Sequence, residues 1–277
     1  MPLRDLQCIM EAGDQTSWPA LEQTLAFARA YAAGPSILVF GAEVRPPKSF
    51  IDQGWVSGLI SSENAKQKER VEQAEAKARQ LLQGHEAADV SVRLGAIGEL
   101  LSGMRLRSRC FDLTILDRPE AAMGHAELVF EEVLFGSGGP LLVASPDKAP
   151  VERIESMLVA WDGSIHATRA LASALGLFPD AKRAEVVVVT GEKNLEEEEP
   201  GAGIAAHLRR HGLKAEVHKI GVAEDGVGAT LDAEATRLGV DLIVMGGFGR
   251  SRFRELVLGG VTRDVSRNAS TPVLFDH

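Results

Sequence analysis

Residues 241–268 read DLIVMGGFGRSRFRELVLGGVTRDVSRN, and the fold turns on this stretch. Asp241-Leu242-Ile243-Val244-Met245 is an apolar run of the length of a buried strand. It stops at Gly246-Gly247-Phe248-Gly249, where the missing Cβ atoms let the backbone come close to a ligand. Nine residues separate Gly249 from Gly259, and Gly259-Gly260 opens a predicted helix, Val261 to Asn268, that ends before Pro272. Strand, glycine loop, basic segment and helix start make a candidate anion cradle, because free N–H groups of the loop and of the helix N-terminus can converge on one anion.

Working outward, the pattern of strand and helix occurs twice. In the first half, predicted strands at Leu6–Met10, Ser36–Phe40, Val90–Leu94, Phe111–Leu116 and Leu141–Val143 alternate with helices at Trp18–Ala33, Ser61–Gln83, Ile97–Arg109 and Glu127–Phe135. Thr16 or Ser17 is a candidate cap for the first helix, and Gly34-Pro35 a candidate stop. The second half repeats the order with strands at Met157–Ala160, Glu185–Thr190, Ala215–Ile220, Asp241–Met245 and Val273–Phe275. Its helices fall at His166–Leu177, Gly201–His211, Ala229–Leu238 and Val261–Asn268. Cys110-Phe111-Asp112-Leu113 matches Val240-Asp241-Leu242, and Gly139-Pro140-Leu141-Leu142 matches Thr271-Pro272-Val273-Leu274. Such alternation predicts an α/β fold of parallel sheets with right-handed crossovers. Ser145 to Pro150 reads as a polar, proline-flanked linker, which divides the chain into 1–147 and 148–277.

Composition narrows the function. The 277 residues are 45% hydrophobic and only 5% aromatic, enough for a core of closely packed layers. A formal net charge of −9 argues against nucleic acid or an anionic membrane as partner. Two isolated cysteines, Cys8 and Cys110, suit a reducing compartment. No run approaches the roughly 18 apolar residues of a membrane span, and Asp5, Glu11 and Asp14 stand where a signal peptide needs an apolar core, so a cytoplasmic location is expected.

With the loop and both repeats in view, a family resemblance emerges. Gly246, Gly249 and Gly259, after an apolar strand, are similar to the G-x2-G-x9-G nucleotide signature of the universal stress proteins, which continues with Ser or Thr. Here Gly260 takes the place of that hydroxyl residue. Ala160-Trp161-Asp162-Gly163-Ser164 resembles the end of the family's first strand, where an Asp lies beside the nucleotide, although Trp161 is bulkier than is usual there. Thr271-Pro272-Val273 is similar to the family's last strand. The resemblance implies a tandem protein of two Rossmann-like domains, each a five-stranded parallel sheet with helices on both faces, the first of them degenerate. It further implies ATP or another adenine nucleotide, with Mg as an optional companion, and halves that pair as an intramolecular pseudo-dimer, with a homodimer also open.

At the carboxyl ends of strands in an open parallel sheet, where strand order reverses, a ligand crevice is expected. Strands one and four of the second repeat would flank it, bringing Asp162 to Gly246. Gly246 and Gly249 would then admit backbone to ribose and phosphates. Gly259, Gly260 and Val261 would offer N–H groups to outer phosphates, and Asp162 would accept from ribose or adenine. Ala160, Trp161, Val189, Thr190 and Met245 are the candidate lining, and Arg250 the cation best placed for phosphate, ahead of Arg252 and Arg254. In the first repeat the equivalent strand ends at Asp117-Arg118-Pro119-Glu120, which lacks an N–H and repels phosphate, so nucleotide is not expected there. His207 and His211 are spaced for a metal but lack an evident third ligand. No paired base and nucleophile accompanies the loop, and no G-x-x-x-x-G-K-[ST] occurs. The expectation is therefore a stress-response nucleotide binder without rapid catalysis. Slow hydrolysis remains open, and an interaction or scaffold protein of the same fold is the alternative.

Overall fold

The computed structural model describes residues 3–13, 18–45, 54–84, 88–119, 124–191, 200–247, 249–251, 256–258 and 260–277. The first repeat comprises β1 (Asp5–Glu11), α1 (Pro19–Tyr31), β2 (Gly34–Ala42), α2 (Gly54–Leu81), β3 (Asp89–Gly95), α3 (Ile97–Ser108), β4 (Leu113–Asp117), α4 (Ala126–Gly136) and β5 (Leu141–Ala144). The second comprises β6 (Ser156–Ala160), α5 (Ile165–Leu177), β7 (Arg183–Thr190), α6 (Ala202–Arg210), β8 (Lys214–Gly221), α7 (Gly226–Leu238) and β9 (Leu242–Gly246). A short hairpin of β10 (Gly249–Ser251) and β11 (Leu256–Leu258) follows, then α8 (Gly260–Asn268) and β12 (Val273–Asp276).

One ten-stranded sheet runs β3-β2-β1-β4-β5-β12-β9-β6-β7-β8. The central strands are buried on both faces, which is why Ile37-Leu38-Val39-Phe40 and Val186-Val187-Val188 show no alternation. One face carries α1, α2, α5 and α6, whose Leu25, Val71, Leu171 and Leu208 pack on Cys8, Val39, Val159 and Val186. The other carries α3, α4, α7 and α8, whose Met104, Phe130, Leu231 and Val265 pack on Leu116, Val143, Ile243 and Phe275.

The internal repeat extends to hydrogen bonds. Asp112 Oδ2 accepts from the backbone N–H of Arg4 (2.8 Å) and Asp5 (2.9 Å). Asp241 Oδ2 does the same for Glu155 (3.1 Å) and Ser156 (2.8 Å). In each repeat one carboxylate thus ties the start of the fourth strand to the start of the first. The proline before each last strand also has the same duty: Pro140 O accepts from Thr114 N–H, and Pro272 O from Ile243 N–H.

Antiparallel pairing of β5 with β12 joins the halves, through Val143↔Val273, Leu142↔Leu274 and Leu141↔Phe275. Above this seam Phe275 meets Phe130 of α4 edge to face, with centroids 5.3 Å apart. Arg263 of α8 donates to Glu127 of α4 (2.8 Å), and Arg267 pairs with the same carboxylate. On the opposite face Phe178 packs against Phe27 and Tyr31 of α1. The expected linker is tied down at both ends. Arg118 bridges to Asp147 (2.6 Å), Lys148 Nζ donates to Val240 O, and Gln23 makes a two-way pair with the Val151 backbone. Among the described residues no helix is long and apolar enough to cross a membrane.

Two local expectations change, and two further features stand beside them. Gly34-Pro35 begins β2 rather than ending a helix, since Gly34 N–H donates to Arg4 O and a strand start tolerates proline. Helix α2 starts at Gly54, not Ser61, because Val56, Ile60, Asn64, Gln67, Val71, Ala74 and Ala78 keep one less-exposed stripe through the glycines. Thr16 and Ser17 lie outside the described residues; in the first turn of α1, Ala20 N–H donates to Asp117 Oδ1 (2.7 Å). The basic segment after Gly249 contains the hairpin β10–β11, which the sequence reading did not assign.

Phe275 stands on the seam and is fully buried. Phe275→Ala is expected to cost about 3–5 kcal/mol, and to do so in a single denaturant transition sensed by both Trp18 and Trp161. Two separated transitions would show that the halves fold without the seam.

Candidate functional site

Strands β6 and β9 lie side by side in parallel, with Leu158↔Ile243 and Val159↔Val244 in register. From β6 the chain winds outward to β7 and β8, while β9 and β12 lie on its other side. This is the reversal point at which the crevice was expected, and it carries Ala160 and Gly246 at its two carboxyl ends.

Five half-buried apolar side chains gather there. Ala160, Val189, Ile220, Val227 and Val261 pack against the core that contains Met245, on the face covered by α7 and α8. Of the candidate lining, Ala160, Val189, Met245 and Val261 therefore share one face of the sheet. Thr190 lies at the rim, exposed, its Oγ1 donating to Ile220 O (3.2 Å). Trp161 is different: its ring packs against the core of the opposite face, because side chains alternate along the strand. Its ring is thus on the other face of the sheet from Ala160 and Val189. Ile220 and Val227 were missed in the sequence, where they stand at the end of β8 and in the first turn of α7 without a motif.

The glycines have separate reasons. A Cβ on Gly246 would lie 2.6 Å from Ala167 N and 2.7 Å from the His166 carbonyl carbon. Gly246 thus lets β9 touch the first turn of α5, and its primary role is packing rather than ligand approach. A Cβ on Gly247 would lie 2.8 Å from Leu134 of α4. Gly260 is exposed, and nothing lies within 4 Å of a Cβ placed there. Gly249 and Arg250 belong to the backbone of β10, while Gly259, Arg252 and Arg254 lie outside the described residues.

Asp162 forms a tight turn with Gly163 and Ser164: its Oδ1 accepts from Ser164 N–H (3.1 Å), and Ser164 Oγ caps α5 at Ala167 N–H (3.1 Å). The turn holds the carboxylate at the crevice end of β6. Beside it, the His166 and His277 rings stack at 4.3 Å, and His277 meets Phe135 edge to face. Nδ1 of His277 lies 2.9 Å from Gly247 O, so that nitrogen carries the proton. Burial first, then the neighbouring His277 and Arg169, lower the pKa of His166. These histidines escaped the sequence reading because they stand far apart in the chain, at positions 166 and 277.

In the first repeat, Asp117 occupies the strand position of Gly246 and caps α1. Glu11, at the end of β1, accepts from His125 N–H (2.8 Å) and pairs with its ring (2.7 Å). The carboxyl end of that sheet is thus lined with carboxylates already engaged by the protein. His207 and His211, the spaced pair of α6, form a ring contact at 4.4 Å.

Two substitutions separate the glycine roles. Gly246→Ala is expected to cost about 1–3 kcal/mol, because backbone atoms must move. Gly260→Ala should stay within about 1 kcal/mol of the parent, on the stabilising side. Urea denaturation measures both. Because the native state disfavours protonated His166, its contribution to stability is present above the unfolded value of about 6.5 and is lost as pH falls through the lowered native value. His166→Gln should flatten the stability profile in that acid range.

The universal stress protein family model matches residues 188–276. A universal stress protein of Synechocystis sp. is 31% identical over 174 residues, covering 59% of this chain and 57% of the relative's own length. A universal stress protein from Archaeoglobus fulgidus DSM 4304 superposes with a TM-score of 0.67 at 17% identity, over 98% of this chain and 95% of that one. A functionally unknown protein from Pseudomonas aeruginosa PAO1 gives 0.56 at 15%, over 99% and 92%. At such identities the two structures speak to the fold alone. The family match falls within the second repeat, the one that keeps the glycine signature, and the chain spans a little over half the length of the curated relative it matches.

Proposed function

We propose that this protein binds ATP or a related adenine nucleotide between β6 and β9 and does not turn it over rapidly. The observation that supports this most is the apolar group of Ala160, Val189, Ile220, Val227, Met245 and Val261 at the sheet's reversal point. An adenine ring needs such a surface, and it ends where α8 starts with the exposed Gly260. Backbone N–H groups in the first turn of α8, and the dipole behind them, would take the phosphates. Asp162, held by its turn, would accept from ribose hydroxyls or the exocyclic amine. Mg2+, when present, would arrive with the phosphates. On this reading 148–277 is the binding domain and 1–147 its degenerate structural partner, which takes the place of a second subunit in the cytoplasm.

No nucleophile paired with a general base lines the crevice among the described residues, so the reading is of a binder. A specific observation favours the alternative, an interaction protein without nucleotide. Asp162 already serves its own turn, and Gly246 is explained by packing alone.

Calorimetry with ATP, with and without Mg2+, decides between them. The expected result is one site on the full chain, weakened at least several-fold in Asp162→Ala. The space at Gly260 admits a hydroxyl, so Gly260→Ser should tighten binding by about fivefold, the worth of one hydrogen bond near 1 kcal/mol. Absence of heat and of any thermal shift at millimolar nucleotide would leave the interaction reading standing.

A further inference from the structure

Glu185 stands where a buried strand calls for hydrocarbon. It precedes the valine run of β7 and is 4% exposed. Its register partner on β8 is Glu216, so two carboxylates oppose one another across neighbouring strands. Like charges so placed repel. Glu216 has no ion pair among the described residues. His218 follows on the same face of β8, with Nε2 2.8 Å from Glu185 Oε2. The ligand atoms of Glu185, Glu216 and His218 all lie within 4.8 Å of one another.

Around them an outer layer is in place. Arg183 Nη1 donates to Glu185 Oε1 (3.0 Å) and is itself anchored on Leu238 O. Glu234 of α7 lies 3.9 Å from His218 Nδ1 and is held by Arg237 (2.7 Å). Three glutamates and two arginines leave one net negative charge around the imidazole. Two ion pairs account for Glu185 and Glu234, but neither accounts for Glu216.

We propose that Glu185, Glu216 and His218 bind a divalent transition-metal ion, with Zn2+ the best match to one imidazole nitrogen and two carboxylate oxygens. Ligands on a tetrahedral zinc lie about 3.3 Å apart, given bonds of roughly 2.0–2.1 Å. The Glu185–His218 spacing is already close to this, and Glu216 is an exposed side chain on the outermost strand, able to rotate inward. The ion takes the place of the hydrogen between Nε2 and Oε2: a neutral ring moves that proton to Nδ1 through solvent, and an imidazolium releases it. His218 then directs its Nδ1–H to Glu234, the carboxylate–histidine–metal relay that fixes ring orientation. Solvent at the sheet edge supplies the remaining position. Glu185 lies near the amino end of β7, away from the crevice, so this inference does not rest on the nucleotide reading.

The test uses the full chain stripped with chelator, without nucleotide. Zn2+ is titrated by calorimetry and Co2+ by visible absorption. One Zn2+ per chain is expected, together with a Co2+ d–d band of four- or five-coordinate strength. Glu216→Gln and His218→Gln should each weaken binding by at least roughly tenfold. A His207→Gln/His211→Gln double variant should leave it unchanged. Glu216 is exposed, so its variant keeps the fold even if the His218 variant does not, and circular dichroism checks both. No saturable Zn2+ binding overturns the inference. So does binding that survives Glu216→Gln, or that disappears with the His207/His211 pair.

Discussion

Three register pairs, Val143↔Val273, Leu142↔Leu274 and Leu141↔Phe275, carry the architecture, since they turn two parallel sheets into one. Taken alone, each repeat would end in a short apolar strand with one edge of unpaired N–H and C=O groups. Such an edge invites association with other chains. Pairing the two edges antiparallel satisfies both and leaves only β3 and β8 as sheet margins. Those margins bear charge, with Asp89 and Arg93 on one and Lys214, Glu216 and Lys219 on the other. The apolar strands are central and the polar ones peripheral, as the hydrophobic effect requires of an open sheet.

The seam also shapes the candidate site. Helix α4 belongs to the first repeat, yet its Leu134 faces Gly247 and its Phe135 packs on His277. Its Glu127 accepts from both Arg263 and Arg267 of α8. The helix whose first turn would meet phosphate is thereby held from the other half of the chain. The first repeat, whose own strand ends carry engaged carboxylates, thus packs against the end of β9 and the chain's last residue.

Much of this was legible in the sequence, for identifiable reasons. Doubly buried strands such as Val186-Val187-Val188 announce themselves by composition, and Asp112 and Asp241 stand at equivalent points of two repeats. Strand order then brings Ala160 to Gly246. What was not legible depends on distance in the chain. Trp161 could be placed on one face or the other only once the register of β6 was known. Asp117 reads as a strand-end residue until Ala20 is found 2.7 Å away. The stripe that starts α2 at Gly54 was hidden by two glycines that propensity disfavours but packing tolerates. Glu185 and His218 are 33 positions apart and meet through strand pairing alone.

The contrast between Asp117 and Gly246 shows how little sequence change separates the two repeats. Both are the fifth residue of the fourth strand, and both face the first turn of the helix that follows the first strand. With a carboxylate there, α1 has its orphan N–H satisfied from within and its positive end partly neutralised. With glycine there, β9 and α5 come into direct contact, and α5 takes its cap locally from Ser164. With α5 capped by Ser164 and glycine at position 246, the β9 side of the rim is backbone. In the first repeat the same rim is an anion. At the end of the fourth strand the first repeat therefore presents a carboxylate and the second a peptide group, with the Asp162 carboxylate held on the neighbouring β6.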